Sequence, residues 1–196
     1  VTGVQTCALP IYNAHEGIFA SENKNPATRI IELKKMIQTF HDNGLKIVMD
    51  VVYNHTALLQ NSSFEQLVPG YYFRKDASGN YSNASGCGNE TASEQVMFKN
   101  FMLQSLTHWV KEYQVDGFRF DLMGVHDIAT MNLLADSLRA ISPTILLYGE
   151  GWTAGTSPLP DSIRALKSNV AKLKGISVFG AEFRDGLKGS VFEPKQ

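Results

Sequence analysis

From Pro26 onward the sequence alternates between helix-like and strand-like patterns, and this alternation constrains the fold more than any other feature. Apolar residues recur at helical spacing around Leu33, Leu106 and Leu134. Short and largely apolar runs lie at residues 45–53, 115–122, 144–148 and 176–179. Such runs are typical of parallel strands that are covered on both faces. The order of helices and strands therefore predicts an α/β fold with a parallel sheet and right-handed crossovers.

Two features of this pattern stay open at the level of the residues. A doubly wound sheet and a closed barrel explain the alternation equally well. Residues 62–93 are rich in Gly, Ser, Asn and Tyr and have no strong periodicity, which predicts a long loop or a small excursion domain. Loops of that length in a compact domain are usually functional. Residues 167–174 are interpreted as one further helix.

The composition excludes several classes of function. Hydrophobic residues make up 43% of the 196 residues and charged residues 19%, which is enough apolar material for one sizeable core. The net charge of -1, without a run of like charges, gives no signal of binding to nucleic acid or to an anionic membrane. The apolar runs are too short for a membrane span, and the N-terminus lacks the order of a signal peptide, so the sequence indicates no compartment. A neutral ligand fits this charge best.

Polar residues cluster where three of the predicted strands end, which is the edge where parallel α/β folds carry their active sites. The three segments are DVVYNH at 50–55, GFRFDLMG at 117–124 and YGEGW at 148–152. Residues two apart in a strand face the same way, so Arg119 and Asp121 share one side of theirs. An arginine beside an aspartate favours the ionised carboxylate, which is the form that a nucleophile needs.

Glu150 ends the next strand between two glycines and close to Trp152. Apolar surroundings favour a protonated carboxyl, which can donate a proton to a leaving group. Two carboxyls with these opposite properties are what glycoside hydrolysis requires, and a separation of about 5–5.5 Å between them predicts retention of configuration. The residues also fit structural roles, with Asp121 as a helix cap or ion-pair partner, His55 as a structural histidine and Trp152 as part of the core.

The three segments resemble, in order, the first three of the four signature segments of the α-amylase clan of glycoside hydrolases. The longer strings YGEGWTAGTSPLP, GNETASE, VDGFRFDLMGVHDI and RDGLKGSVFEP resemble the type I pullulanase family. The resemblance implies that residues 12–196 form part of a (β/α)8 TIM barrel, roughly strands three to six with their helices, with a loop excursion at about 56–93. It also implies retaining hydrolysis of α-1,6-glucosidic linkages in pullulan, starch or glycogen.

The same resemblance assigns three kinds of role, namely catalysis, substrate binding and support of the strand end. The matching residues are, in that order, Asp121 and Glu150; His55 and Arg119; and Asp50 and Asn54. Trp152 is also predicted to bind substrate, from its apolar ring face close to Glu150. Asp121 takes the place of the nucleophile and Glu150 that of the acid/base. The implied substrate is a branched α-glucan or pullulan, with no redox or nucleotide cofactor. No metal is predicted, since these residues do not support the calcium ion that the family allows. An extracellular or cell-envelope location is compatible with the resemblance.

Three departures from the family pattern limit what the resemblance implies. Residues 1–11, VTGVQTCALPI, match nothing in the family, and we interpret them as a non-native or frameshifted segment. The clan's fourth segment, with its third essential carboxylate, has no counterpart before Gln196, so we expect the chain alone to be an inactive fragment. Ala181 and Glu182 stand where the family tends to have two aspartates, which weakens any prediction of a sugar contact there.

Other functions are also compatible with these residues. An α-amylase-clan enzyme that cuts α-1,4 bonds or transfers glucan chains would share the nucleophile and the acid/base. A non-catalytic carbohydrate-binding fragment would fit the missing fourth segment. A nucleotide-binding domain is disfavoured, because no glycine-rich phosphate loop follows a predicted strand. The two cysteines form neither a zinc spacing nor a disulfide framework.

Overall fold

Four parallel strands form the sheet of the chain in the computed structural model, which describes residues 20–22 and 24–189. The strands are β1 (Val48–Val51), β2 (Gly117–Phe120), β3 (Leu146–Gly149) and β4 (Ser177–Val178). They lie side by side in sequence order, and each neighbouring pair is parallel. The predicted α/β fold with a parallel sheet is therefore confirmed. Residues 1–11, interpreted above as non-native, lie outside the described residues.

Helices connect and flank the strands. They are α1 (Pro26–Asp42), α2 (Ser63–Leu67), α3 (Val96–Tyr113), α4 (Ile128–Ile141) and α5 (Ala181–Lys188). Helix α1 begins where the Asn25 side chain accepts a hydrogen bond from the Ala27 N–H at 3.0 Å. The helix predicted at residues 167–174 is instead a 3₁₀ helix at Lys167–Lys172. Within the described ranges, no helix is both long and apolar enough to cross a membrane.

The core lies between the sheet and helices α3 and α4, which pack against each other. One face of α3 is buried over its whole length, through Phe98, Met102, Leu106, Trp109 and Tyr113. These residues share one hydrophobic cluster with Phe118 and Phe120 of β2. Each large side chain that is fully buried contributes about 1.5–3 kcal/mol. Because side chains alternate along a strand, the core holds one face of β2 and leaves Arg119 on the other.

The segment between β1 and α3 contains more structure than the predicted loop. It includes the short helix α2, where the ring of Phe64 packs on Tyr72 and Phe101 with ring centroids 4.8 and 5.0 Å away. Tyr72 belongs to the same hydrophobic cluster as the sheet, so the excursion extends the main core. The sequence pattern missed α2 because five residues are too few to show a helical repeat.

A small hairpin projects from this segment. Lys75 and Tyr81 form an antiparallel bridge at its base. At its tip, Asp76 Oδ1 accepts hydrogen bonds from the backbone N–H groups of Ser78 and Asn80, each at 2.9 Å. The residues from Lys75 to Asn80 are exposed to solvent. The turn is therefore closed by bonds between its own residues.

Candidate active site

The site is assembled from residues that directly follow the strands. Asp121 is the residue after β2, and Glu150 is the residue after β3. The strand register pairs Phe120 with Gly149, so the two carboxyl residues that come next are neighbours on adjacent strands. Backbone bonds continue this pairing, since Asp121 N–H donates to Val51 O and Glu150 N–H donates to Phe120 O, each at 3.0 Å. The sheet thus brings together the two residues that the sequence singled out.

Arg119 lies at the centre of the site and binds three carboxylates with one guanidinium. Its Nη1 donates to Asp50 Oδ1 at 2.9 Å and to Asp121 Oδ1 at 2.8 Å. Its Nη2 donates to Glu150 Oε1 at 2.6 Å. Burial lowers the pKa of Arg119, but its hydrogen bonds to Asp121 and Asp50 outweigh this effect and raise the pKa above its usual value. The guanidinium is therefore a permanent positive charge between the carboxylates.

Asp121 is buried and accepts hydrogen bonds on both carboxylate oxygens. Only 7% of the residue is exposed. Oδ1 accepts from Arg119, and Oδ2 accepts from Asn54 Nδ2 at 3.0 Å. The same Nδ2 donates to the backbone carbonyl of Asp121 at 2.9 Å. Donors on both carboxylate oxygens therefore fix the orientation of the Asp121 side chain.

Glu150 has a more polar environment than the sequence predicts. Its Oε1 accepts from Arg119, and its Oε2 accepts from the backbone N–H of Leu122 at 2.9 Å. The prediction of apolar surroundings is therefore wrong for this carboxyl. The cause is tertiary, because Arg119 reaches across from the neighbouring strand, and Leu122 turns its N–H towards the carboxylate in a left-handed conformation.

Asn54 and His55 join the site from the loop after β1. His55 Nδ1 donates to Asn54 Oδ1 at 2.5 Å, which assigns the proton of a neutral imidazole to Nδ1. Burial lowers the pKa of His55, and the nearby charge of Asp121 offsets this only in part. A neutral ring protonated at Nδ1 presents Nε2 as an acceptor. His55 is therefore connected to Asp121 through the side chain of Asn54.

Trp152 lies in the loop after β3, two residues beyond Glu150. Its ring packs against a small buried cluster of Ala84, Leu122 and Val125. The residue is only partly buried, so part of its surface faces solvent. The sequence left open whether Trp152 is a core residue or a sugar-stacking residue, and this placement leaves an aromatic surface for a ligand.

Phe179 is a site residue that the sequence interpretation did not assign. It is the residue after β4, and its ring centroid lies 5.6 Å from that of Tyr148 and 6.2 Å from that of Trp152. Arg119 Cζ lies 5.7 Å from the centre of the Phe179 ring, within the range of a cation–π interaction. Its position directly after a strand is the signal that could have found it.

Asp50 lies on the outer side of the site. It is the register partner of Arg119 across β1 and β2, and 64% of its side chain is exposed. Its contact supports Arg119 on the neighbouring strand. Among the residues that the structure describes, no group of three or more His, Cys, Asp and Glu side chains could hold a metal ion. The guanidinium of Arg119 carries the positive charge among the carboxylates of the site.

Comparisons with known proteins find pullulanases among the relatives, although no protein-family model matches the chain. The pullulanase of Bacillus subtilis (strain 168) is 46% identical over 182 residues, which cover 93% of this chain and 25% of that protein. A crystal structure of pullulanase from Anoxybacillus sp. LM18-11 complexed with maltotetraose is 48% identical with a TM-score of 0.90, covering 93% of this chain and 26% of that one.

A second crystal structure, of pullulanase type I from Bacillus subtilis str. 168 complexed with maltose, is 44% identical with a TM-score of 0.88 and the same coverage of 93% and 26%. The chain spans about a quarter of the length of these relatives. Its four-stranded parallel sheet is consistent with part of a barrel. With nearly half of its residues identical over more than nine-tenths of its length, and with the same fold, the chain belongs to the pullulanase family.

Proposed function

We propose that the complete protein containing these residues is a debranching enzyme that hydrolyses α-1,6-glucosidic linkages in pullulan, starch or glycogen with retention of configuration. The observation that carries this proposal is the pair of carboxyl groups, Asp121 and Glu150, joined by one guanidinium at the ends of adjacent parallel strands. Membership of the pullulanase family supports the choice of bond. The related structures complexed with maltotetraose and maltose support an α-glucan as the substrate.

Asp121 acts as the nucleophile in this proposal, and Glu150 acts as the acid and then the base. A carboxylate oxygen of Asp121 bonds to the anomeric carbon while the glycosidic C–O bond breaks, and the leaving oxygen takes a proton from Glu150. This step gives a glycosyl ester on Asp121 and an ionised Glu150. Glu150 then takes a proton from a water molecule, whose oxygen attacks the anomeric carbon and releases Asp121. Both carboxyls return to their starting protonation states.

The separation of the two carboxyls supports this pairing. Both accept from the same guanidinium, at 2.8 and 2.6 Å, so the two bonded oxygens lie within about 8 Å of each other. Carboxyl pairs in glycosidases lie about 5–9.5 Å apart, with retaining enzymes at the short end of that range. The choice of retention within this range comes from the resemblance to the α-amylase clan.

The contact between Arg119 and Glu150 must give way before Glu150 can donate a proton, because a guanidinium favours the ionised carboxylate. We propose that the glycosidic oxygen takes the place of Arg119 Nη2 beside Glu150 when a glucan enters. Arg119 keeps its hydrogen bonds to Asp50 and Asp121, so the guanidinium is not left unpaired by this change. The support role of Asp50 is therefore to hold Arg119 against the nucleophile, and Asn54 holds the nucleophile from the other side.

Two further residues are proposed to bind the sugar. The neutral ring of His55 can accept a hydrogen bond from a sugar hydroxyl at Nε2. The partly buried ring of Trp152 can stack against the apolar face of a pyranose ring. We also propose that residues 12–196 form roughly strands three to six of a (β/α)8 barrel, with β1 as the third strand and the excursion at about 56–93. No metal or organic cofactor takes part in this scheme.

The products formed from pullulan test the proposal. Cleavage of each α-1,6 bond by the complete protein gives maltotriose as the final product. Cleavage of α-1,4 bonds gives trisaccharides that still contain an α-1,6 bond, and a transferase gives longer chains. Proton NMR during the first minutes should show the α-anomer of the new reducing end before mutarotation. Products without maltotriose would contradict the choice of bond, and early appearance of the β-anomer would contradict retention.

A further inference from the structure

We propose that Glu90 is a positioning residue that fixes the loop carrying Trp152 beside the catalytic carboxylates. The inference rests on the proposed function, since it concerns how the sugar is held. Glu90 has no exposed surface, and it belongs to the excursion between β1 and α3. A buried carboxyl group is costly unless its oxygens are hydrogen-bonded. Its partners therefore indicate what it stabilises.

Glu90 joins two separate segments of the chain. Its Oε2 accepts from the backbone N–H of Ala84 at 3.0 Å, within the excursion. Its Oε1 accepts from the hydroxyl of Ser157 at 2.8 Å. Ser157 lies in the loop at residues 151–160 that follows Glu150. One buried side chain thus connects the excursion to the loop that carries Trp152.

Ala84 extends this connection to Trp152 itself. The methyl group of Ala84 belongs to the small cluster against which Trp152 packs. The Ala84 carbonyl accepts from the Gly155 N–H at 2.9 Å. A Cβ at Gly155 would lie 2.7 Å from the carbonyl oxygen of Asn83, so only glycine allows this close approach of the two segments. The loop is held against the residues that Glu90 anchors.

Glu90 is only one of several partners of the buried Arg74. Arg74 Nη1 forms an ion pair with Glu90 Oε1 at 3.5 Å, which is longer than its contacts with other acceptors. Arg74 Nη2 lies 2.7 Å from Glu94 Oε2, and its Nη1 donates to the Val125 carbonyl at 2.7 Å. The guanidinium is therefore satisfied by other acceptors. The short contacts of Glu90 go to Ala84 and Ser157, which are the contacts that affect the loop.

The residue before Glu90 contacts the loop after β1. Asn89 Oδ1 accepts from the Thr56 N–H at 3.0 Å, and Asn89 Nδ2 donates to the Thr56 carbonyl at 2.7 Å. Thr56 directly follows His55, which is proposed to bind the same sugar. Asn89 and Glu90 together therefore set the spacing between the loops after β1 and β3. A change at Glu90 should affect sugar binding more than the chemical step.

Variants of the complete protein test this role. Ser157→Ala removes the hydroxyl that donates to Glu90 Oε1, together with the weaker hydrogen bond that this hydroxyl accepts from the Leu159 N–H at 3.2 Å. Glu90→Gln keeps the volume but replaces the carboxylate. We expect each to raise KM for pullulan about five- to tenfold and to change kcat by less than about twofold. Ser157→Thr keeps a hydroxyl at this position, so its KM for pullulan should stay near the wild-type value. Ser168→Ala, at an exposed serine of the 3₁₀ helix, should change neither constant.

The split between KM and kcat separates positioning from loss of fold, because a partly unfolded enzyme loses kcat at constant KM. An unchanged KM in Glu90→Gln would overturn the proposal. This holds even if KM rises in Ser157→Ala, because loss of the local contact between Ser157 and Leu159 would then explain that rise. Calorimetric binding of maltotetraose gives a readout that does not need hydrolysis. The protein could fail to cleave pullulan while its Glu90→Gln variant binds maltotetraose about five- to tenfold more weakly than the wild type. That result would reject the proposed function but support the positioning role of Glu90.

Discussion

The backbone N–H of Leu122 donates to Glu150 Oε2 at 2.9 Å, and Leu122 adopts φ 39° and ψ 48° in order to do so. A residue with a Cβ loses about 1–2 kcal/mol in this left-handed conformation. Strain of this kind tends to occur at functional sites, where the surrounding structure maintains it. The N–H is part of the backbone, so its contact with Glu150 does not depend on the side chain of Arg119. Leu122 therefore fixes the orientation of the Glu150 carboxyl from the backbone.

Loss of either carboxyl proposed to act in catalysis should abolish most activity while leaving the fold intact. In the complete protein, Glu150→Gln should lower kcat on pullulan by about 10²–10⁴-fold, because an amide cannot donate or accept the proton. Asp121→Asn should reduce it by orders of magnitude, because an amide does not form the glycosyl ester. Initial rates of reducing-sugar release measure both effects.

Asp136→Asn is a matched control for these two variants. Asp136 is exposed and pairs with Lys174 at 2.8 Å on the surface. A pair of this kind contributes at most about 1 kcal/mol, so pullulan hydrolysis should stay at the wild-type level. Near-wild-type turnover in Asp121→Asn or Glu150→Gln would show that the wrong carboxyl has been assigned.

Arg119→Lys should be strongly impaired although it conserves the charge. A single ammonium group cannot reproduce the fork that reaches Asp50, Asp121 and Glu150. Loss of one or two charged hydrogen bonds should lower kcat/KM for pullulan about 10–100-fold. Arg139→Lys serves as the control, because its guanidinium donates to backbone carbonyls outside the site. Equal kcat/KM for the two variants would refute a special role for the Arg119 fork.

Gly124→Ala should displace Trp152. A Cβ at Gly124 would lie 2.6 Å from the carbonyl oxygen of Trp152 and 2.9 Å from Leu166 Cδ2, which is too close for either atom. We expect a loss of about 1–3 kcal/mol in the free energy of unfolding, together with a higher KM for pullulan. Gly186→Ala is the control, because a Cβ there meets nothing within 4 Å in helix α5. Gly186→Ala should gain up to about 1 kcal/mol in the free energy of unfolding. Equal thermal midpoints for Gly124→Ala and Gly186→Ala would contradict the prediction.

His126 should make stability depend on pH. The residue is 0% exposed, and neither ring nitrogen has a hydrogen-bond partner in the described part of the chain. Burial, and then the charge of Arg74, lower its pKa from 6.5 to about 3. The unfolded chain therefore binds more protons below pH 6.5, so stability falls on acidification from that pH towards 3, by up to about 1.4 kcal/mol per pH unit.

The variant His126→Leu tests this origin, because it removes the titrating group. Denaturant unfolding of the wild type and the variant should be compared between pH 7 and pH 4.5. The variant should lose less stability than the wild type over this range, since its other ionisable groups are the same. If the free energy of unfolding changed equally with pH in the two proteins, the pKa of His126 would not differ between the folded and unfolded states.

Parts of the fold could be predicted from the sequence because they depend on local periodicity. The face of α3 that contains Phe98, Leu106 and Trp109 is buried as its helical spacing indicates. The strands are shorter than the apolar runs, since pairing in the sheet starts only at Val48 and at Gly117. Where the hydrogen bonds of a strand begin depends on its neighbours, which the sequence of one segment does not contain.

The two carboxyls of the site could also be predicted, because Asp121 and Glu150 each directly follow a strand. The polar environment of Glu150 could not, since it comes from Arg119 on another strand and from a backbone N–H. The role proposed for Glu90 could not be predicted from the sequence for the same reason. Its partner Ser157 is 67 residues away in the chain. Contacts of this range arise only when the loops are packed together.

The hairpin between Lys75 and Tyr81 offers a use that is independent of catalysis. Its turn is closed by Asp76 through bonds to its own neighbours, and its tip is exposed. Exposed tips of this kind are where proteins best tolerate inserted peptides. An affinity tag or a fluorescent label placed there would leave the buried partners of Glu90 and Arg119 in place. The hairpin is thus a natural point for attaching the enzyme to a solid support.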